Sequence, residues 1–288
     1  MSLGVVIKGP EGVVLAADSR VSLEAHVVGI ANPLFINYDN ASKLLTFGKP
    51  HNSVAAVTYG VAVIGQRTAH SFLPELENVL ETKHPKEAAT VDEYANIIRD
   101  FYTDRWNDVM PQDYQGPDMT FIVGGFDPGA AYGKVYVIGI PHNPGPTPRN
   151  VGDDEFGMTW GGQLQIATRL IHGYDPALPA LLKQHLSIDD QAWATLQPEL
   201  AKAVELGVPY NVLPLQDCVK LAIFLIRTTI TAQSLAVALR GVGGFIDVAT
   251  ITRTEGLRYV QRKRVRGEFG SVSEEPPGED DDNDAPNG

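Results

Sequence analysis

Leu3-Gly-Val-Val-Ile-Lys8 and Gly12-Val-Val-Leu-Ala-Ala-Asp-Ser-Arg20 read as two short strands joined by the turn Pro10-Glu11-Gly12. The run over residues 13–17 is apolar at every position, so both faces of that strand are expected to be buried. It stops abruptly at Asp18-Ser19-Arg20. A carboxylate and a guanidinium therefore stand at the end of a buried run, and taken alone they read as a solvated strand end.

Working outward, residues 21–42 contain Asn32-Pro33 and Asn37-Tyr38-Asp39-Asn40 and read as a long loop. Strand character returns over 43–47 and 53–59, giving a second hairpin. Helical spacing follows over 66–83, with Phe72, Leu73, Leu76 and Leu80 on one side. A second helix is expected over 91–110, with Tyr94, Ile97, Ile98, Phe101 and Trp106 as its apolar stripe. A third hairpin spans 119–126 and 134–140. The proline-rich segment 142–150 reads as a rigid loop, 156–162 as a strand and 164–172 as a helix. Residues 176–214 suggest one or two additional helices with proline breaks. A long buried helix of a soluble protein covers 215–239, and a last hairpin covers 245–253 and 259–265. Strands and helices come in separate blocks, which argues α+β over a parallel βαβ sheet. A four-layer αββα arrangement of two antiparallel sheets is one option. The expected organisation is one domain over 1–266, with 176–214 as a helical insertion and 267–288 as a disordered acidic tail.

The 288 residues carry 23 Lys and Arg against 35 Asp and Glu, a net charge of −12, with 43% hydrophobic residues. Eight of the acids lie from Glu268 onward, where there is no Lys or Arg. The body then holds 27 acids against 23 bases, a net −4. A basic nucleic-acid or membrane-surface footprint is not expected from this balance. The single cysteine, Cys218, cannot form an intramolecular disulfide, reads as core packing, and fits a cytoplasmic location. The start of the chain lacks the apolar run and basic leader of a secretory signal. Phosphate-loop, zinc-protease and nucleophile-elbow strings are absent, and the seven histidines show no ligand spacing. No metal or cofactor is expected.

The strings that stand out are Ser2 before Leu3–Lys8, Glu11 to Arg20 (EGVVLAADSR), Lys43-Leu44, and Ser53-Val-Ala-Ala-Val-Thr-Tyr-Gly60. In these the sequence resembles the β subunits of the proteasome and its bacterial relatives, members of the N-terminal nucleophile hydrolases. The resemblance implies their αββα fold and places Ser2 where the family has its catalytic N-terminal threonine. It further implies that Lys43 and Asp18 assist the nucleophile and that the backbone N–H of Gly60 faces the oxyanion. Arg20 matches the arginine after the aspartate and reads as a structural ion-pair partner. The resemblance also implies a homo-oligomeric ring or stack, a peptide or unfolded-protein substrate, and an unfoldase or adaptor as partner.

The chemistry of these residue types is compatible with that placement. Removal of Met1 would leave Ser2 with a hydroxyl and a free α-amine, and such an amine, with an ordinary pKa of about 7.7 to 8.0, can act as base for its own hydroxyl. Two departures lie in the second half. Thr159-Trp160-Gly161-Gly162-Gln163 stands where the family has Gly-Ser-Gly. Leu239-Arg240-Gly241-Val242-Gly243-Gly244 keeps the glycine pair but has Leu239 and Val242 in place of an aspartate and a serine. Gly161, Gly162, Gly243 and Gly244 are therefore expected to be structural neighbours of the site. Two other readings stay open: a catalytically inactive proteasome-like subunit, and an amide hydrolase for small molecules of the same superfamily.

Overall fold

The structure is a computed structural model and describes residues 2–25, 34–237 and 240–264. The expected acidic tail, Met1 and Leu239 lie outside the described residues. The chain opens with β1 (Leu3–Lys8) and β2 (Val13–Asp18), then β3 (Val21–Ala25) and β4 (Leu34–Tyr38), β5 (Leu44–Thr46) and β6 (Val54–Gly60), and the short pair β7 (Val63–Ile64) and β8 (Arg67–Thr68). Helices α1 (Leu73–Lys83) and α2 (Val91–Val109) follow. Strands β9 (Met119–Gly125), β10 (Lys134–Ile140), β11 (Asn143–Pro148) and β12 (Gly157–Gly162) come next. Helices α3 (Leu164–His172), α4 (Leu178–Leu186), α5 (Asp190–Val204) and α6 (Leu215–Leu235) lead to the closing hairpin β13 (Ile246–Thr252) and β14 (Gly256–Gln261).

The class is α+β. One antiparallel sheet runs β12-β1-β2-β13-β14 and a second runs β11-β10-β9-β6-β5. Side chains alternate across each strand with a period of two, and here both sets are apolar because both faces are covered. On one face of the first sheet, Leu3, Val5, Ile7, Val14 and Ala16 pack with Ala167 of α3 and with Cys218, Ala222 and Ile226 of α6. On its other face Val6, Val13, Leu15 and Ala17 pack with Leu44, Ala55, Val57 and Ile122 of the second sheet. The second sheet's remaining face, with Ala56, Phe121 and Val123, meets Phe72, Leu76, Tyr94, Ile98 and Tyr102 from the α1 and α2 region. Helix α2 starts where a capping box forms: the Thr90 hydroxyl accepts from the Glu93 amide, and the Glu93 carboxylate accepts from the Thr90 amide.

Two segments depart from the expected loops. Residues 21–42 contain the hairpin β3–β4, with Val21 opposite Tyr38 and Leu23 opposite Ile36; the polar turn signals around them hide this short alternation. Segment 142–150 contains β11, despite Pro144, Pro146 and Pro148. It is an edge strand, where a residue without an N–H removes no bond from a neighbour on the outer side. Helix α6 is long and apolar enough to cross a membrane by length and composition alone, yet Cys218, Val219, Ala222, Leu225 and Ile226 are buried in the protein. It ends at Leu235, four residues before the expected end.

Leu15 is fully buried between the two sheets. Leu15→Ala is expected to lower the unfolding free energy by ~2–5 kcal/mol, through lost transfer energy and the cavity left behind. Urea denaturation checks this; a loss under about 1 kcal/mol would mean that the inner faces do not form one packed core.

Candidate functional site

Asp18 sits at the last position of β2, 1% exposed, and its carboxylate receives four donors. Oδ1 accepts from Lys43 Nζ at 2.6 Å and from the Leu3 amide at 3.0 Å. Oδ2 accepts from the Arg20 amide at 3.1 Å and the Gly243 amide at 3.0 Å. Four donors on two oxygens use the acceptor capacity of a carboxylate in full. Lys43, just before β5, is 4% exposed. Its burial pulls the ammonium's pKa below the ordinary lysine value, and the nearby cations Lys263 and Arg20 act in the same direction, against the raising effect of Asp18.

Ser2 is buried at the start of β1, one residue from the amide that shares Asp18 Oδ1 with Lys43. Its carbonyl accepts from the Gln163 amide at 2.7 Å. Ser2, Lys43 and Gly60 line one pocket of about 320 Å³, together with Val21, Thr58 and Tyr59. Beside it lies a larger cleft of about 1040 Å³ along the β3–β4 hairpin; Val21, Ala41 and Thr68 are common to both.

The glycines fit around this centre. Gly60 has φ +88°, and a Cβ there would lie 2.0 Å from the Asp118 carbonyl oxygen. Gly162 has φ +102°, and a Cβ there would lie 1.9 Å from the carbonyl oxygen of Ser2. Both positions exclude other residues on conformation and on space. Gly161 backs onto the Tyr59 ring, Gly243 onto the Arg20 guanidinium, and Gly244 onto the Asp39 carbonyl.

Arg20 forms a bidentate pair with Asp39, Nε to Oδ1 at 2.5 Å and Nη2 to Oδ2 at 2.7 Å, and donates from Nη1 to the Arg240 carbonyl at 3.0 Å. This holds the Asp39 carboxyl below its ordinary pKa, with the hydrogen bond from Arg20 as the main cause. Val242 is buried at 1% exposure in the apolar cluster against α6, so that position offers no hydroxyl.

Sequence reasoning missed several neighbours. Lys263 pairs with Asp247 and donates to Ser19 Oγ at 3.2 Å, forming a second, partly buried charge pair near Lys43. Gln233 of α6 accepts from the Val242 amide at 2.9 Å and donates to Gln163 Oε1 at 3.4 Å, which links the 242–244 turn to the residue that holds Ser2. Asp39 and Tyr59 stood in quoted stretches, but nothing in one sequence marks their partners. Among the described residues, no group of three or more His, Cys, Asp or Glu is placed to hold a metal ion.

No protein-family model and no curated protein sequence matches the chain. Among solved structures, it is similar to a Gly-1 mutant of Anbu from Hyphomicrobium sp. strain MC1. The TM-score is 0.52 and the identity 14%, over 92% of this chain and 87% of that one. At that identity the likeness is one of fold.

Breaking the buried pair from one side leaves an uncompensated charge. Asp18→Asn is expected to cost ~3–5 kcal/mol of stability, and the double variant Asp18→Asn/Lys43→Met to recover part of it. A double-mutant cycle by urea unfolding checks this; additive single effects would show that the two groups are not coupled.

Proposed function

We propose that the chain is a proteasome-like N-terminal nucleophile hydrolase with a four-layer αββα core, which uses Ser2 to cleave an amide bond. The reading rests on one observation: Lys43, paired with the buried Asp18, lines the same small pocket as Ser2. Its support from known structures is the fold likeness to Anbu, a bacterial proteasome-like homologue.

In this reading Met1 is removed, and the neutral α-amine of Ser2 takes the proton from Oγ as Oγ attacks the substrate carbonyl carbon. The Lys43 ammonium stabilises the developing negative charge on Oγ, and Asp18 fixes the lysine's position through the 2.6 Å contact. The Gly60 N–H serves the carbonyl oxygen as it becomes an oxyanion. Collapse breaks the C–N bond, the leaving amine takes the proton held by the Ser2 amine, and water then hydrolyses the ester. Arg20, Gly161, Gly162, Gly243 and Gly244 act by shaping the site.

The open cleft beside β3 and β4 suits an extended chain more than a compact small molecule, which favours a peptide substrate. Assembly into a ring or stack, with an unfoldase or adaptor feeding it, belongs to the same proposal. A second reading, an inactive subunit that keeps the fold, is favoured by Val242, whose core position leaves the site without a side-chain hydroxyl there.

Intact mass separates the two. Untagged protein treated with a hydroxyl-directed electrophile is expected to lack Met1 and to carry one adduct, absent in Ser2→Ala. Retained Met1 with no adduct would overturn the enzyme reading. Because the amine must be neutral to accept the proton, labelling is expected to rise with pH through about 7 to 8. A rate that falls as pH rises over that window would exclude the amine as base.

A further inference from the structure

A closed circuit of hydrogen bonds runs through the main chain at Ser2, and one side chain in it comes from α6. Gln233 lies buried in the last turn of that helix. Its Oε1 accepts from the Val242 amide at 2.9 Å, and its Nε2 donates to Gln163 Oε1 at 3.4 Å. The Gln163 amide donates to the Ser2 carbonyl at 2.7 Å. On the other side, the Gly243 amide next to Val242 donates to Asp18 Oδ2 at 3.0 Å, and Asp18 Oδ1 accepts from the amide of Leu3, the residue after Ser2, at 3.0 Å. The circuit thus leaves Ser2 through its carbonyl and returns to it through Leu3.

Donor and acceptor chemistry fixes the direction of this circuit. A backbone N–H can only donate, so Val242 requires the oxygen of the Gln233 amide. That leaves the Gln233 NH2 group facing Gln163, which must answer with its own oxygen. Gln163 is the N-cap of α3, a position whose side chain commonly accepts from the first free amides of its helix. Its side chain makes no such bond and reaches α6 instead. An apolar side chain at 233 would leave the buried Val242 amide without this acceptor. Gly162 lies against the same Ser2 carbonyl with room for no Cβ, so a shift of Gln163 is passed on to Ser2.

We propose that Gln233 is a positioning residue for Ser2: it holds the Ser2 main chain and the 242–244 turn at a fixed spacing, and so sets where the serine hydroxyl and amine stand relative to Lys43. It acts through Gln163 and Val242, on the main chain. The inference rests on the reading of Ser2 as the nucleophile and adds to it the helix that keeps the nucleophile in place. A reacting group misplaced by about 1 Å can lose on the order of a hundredfold in rate, so a brace of this kind has a kinetic signature.

The test is the rate at which the untagged full chain takes up the hydroxyl-directed electrophile at Ser2, followed by intact mass over a range of electrophile concentrations. Two variants cut the Gln233–Gln163 bond from opposite sides: Gln233→Met, and Gln163→Met, which keeps the backbone amide that serves Ser2. Each is expected to lower the limiting rate about tenfold or more while the half-saturating concentration stays that of the parent, the pattern of lost orientation without lost binding. Because both remove the same bond, the double variant is expected to be no slower than Gln233→Met. Should Gln233→Met fail to fold, as read by circular dichroism, Gln163→Met carries the test alone. With a parent that labels at Ser2, variants that label at the parental rate, a loss confined to the half-saturating concentration, or losses that multiply in the double variant would each overturn this inference and leave the Ser2 reading intact. A parent that takes up no adduct would overturn the Ser2 reading, and this inference with it.

Discussion

The structure around the candidate site depends on how one buried carboxylate is satisfied. Asp18 draws donors from positions 15, 2, 25 and 225 residues away in the chain: Leu3, Arg20, Lys43 and Gly243. A buried charge left short of partners costs several kcal/mol, on the order of a whole domain's net stability. The four segments therefore cannot move apart independently. Where Leu3 goes, Ser2 goes. The position of the candidate nucleophile is a consequence of charge satisfaction at the end of β2 more than of any contact made by serine itself.

Around this centre, further polar contacts repeat the same logic with weaker constraints. Arg20 is clamped by Asp39, which ties the end of the β3–β4 hairpin to the Arg240 carbonyl. Lys263 is clamped by Asp247 and reaches Ser19, next to Asp18. Each cation brought close to Lys43 lowers its proton affinity, and burial does so most. The ammonium that lines the pocket is thus held dry and close, with its own carboxylate behind it. That favours a negative charge forming on an oxygen there, and it favours the neutral form of any amine placed beside it. Those are the two electrostatic conditions that a self-activating N-terminal hydroxyl requires.

How much of this was legible in the sequence depended on range. Val13-Val-Leu-Ala-Ala could be read as a strand buried on both faces because the run is short, follows a Pro-Glu-Gly turn and is apolar throughout. Asp18 at its end read on its own as a solvated strand end, and only the resemblance carried by EGVVLAADSR marked it as a site residue. The α2 helix was legible from its apolar stripe, whereas the Thr90–Glu93 capping box at its start went unread. The β3–β4 hairpin was not, since Asn and Pro signals outweighed two short alternations, and β11 was not, since proline is read as a breaker until an edge position is known. Partners such as Asp247 and Lys263, or Gln163 and Gln233, were beyond reach. Their pairing is set by the sheet register that places β13 beside β2, with Asp247 opposite Ala17, and by the packing of α6, with no local spacing to announce it.

One wall of the Ser2 pocket follows from the same register. Gly4 of β1 and Gly161 of β12 are opposite one another in the first sheet. Both lie against Tyr59 of the second sheet: a Cβ at Gly161 would be 2.0 Å from Cζ, and one at Gly4 would be 3.3 Å from Cδ1. Two facing glycines thus leave a slot in one sheet, and the other sheet fills it with a tyrosine ring. Burial of that ring raises its phenol's pKa, so the hydroxyl stays neutral and the ring can sit in the slot without a charge to solvate. A side chain at Gly161 would have to displace the ring, and one at Gly4 would strike Val57 Cγ1 first, at 2.7 Å; the ring is part of the wall of the Ser2 pocket.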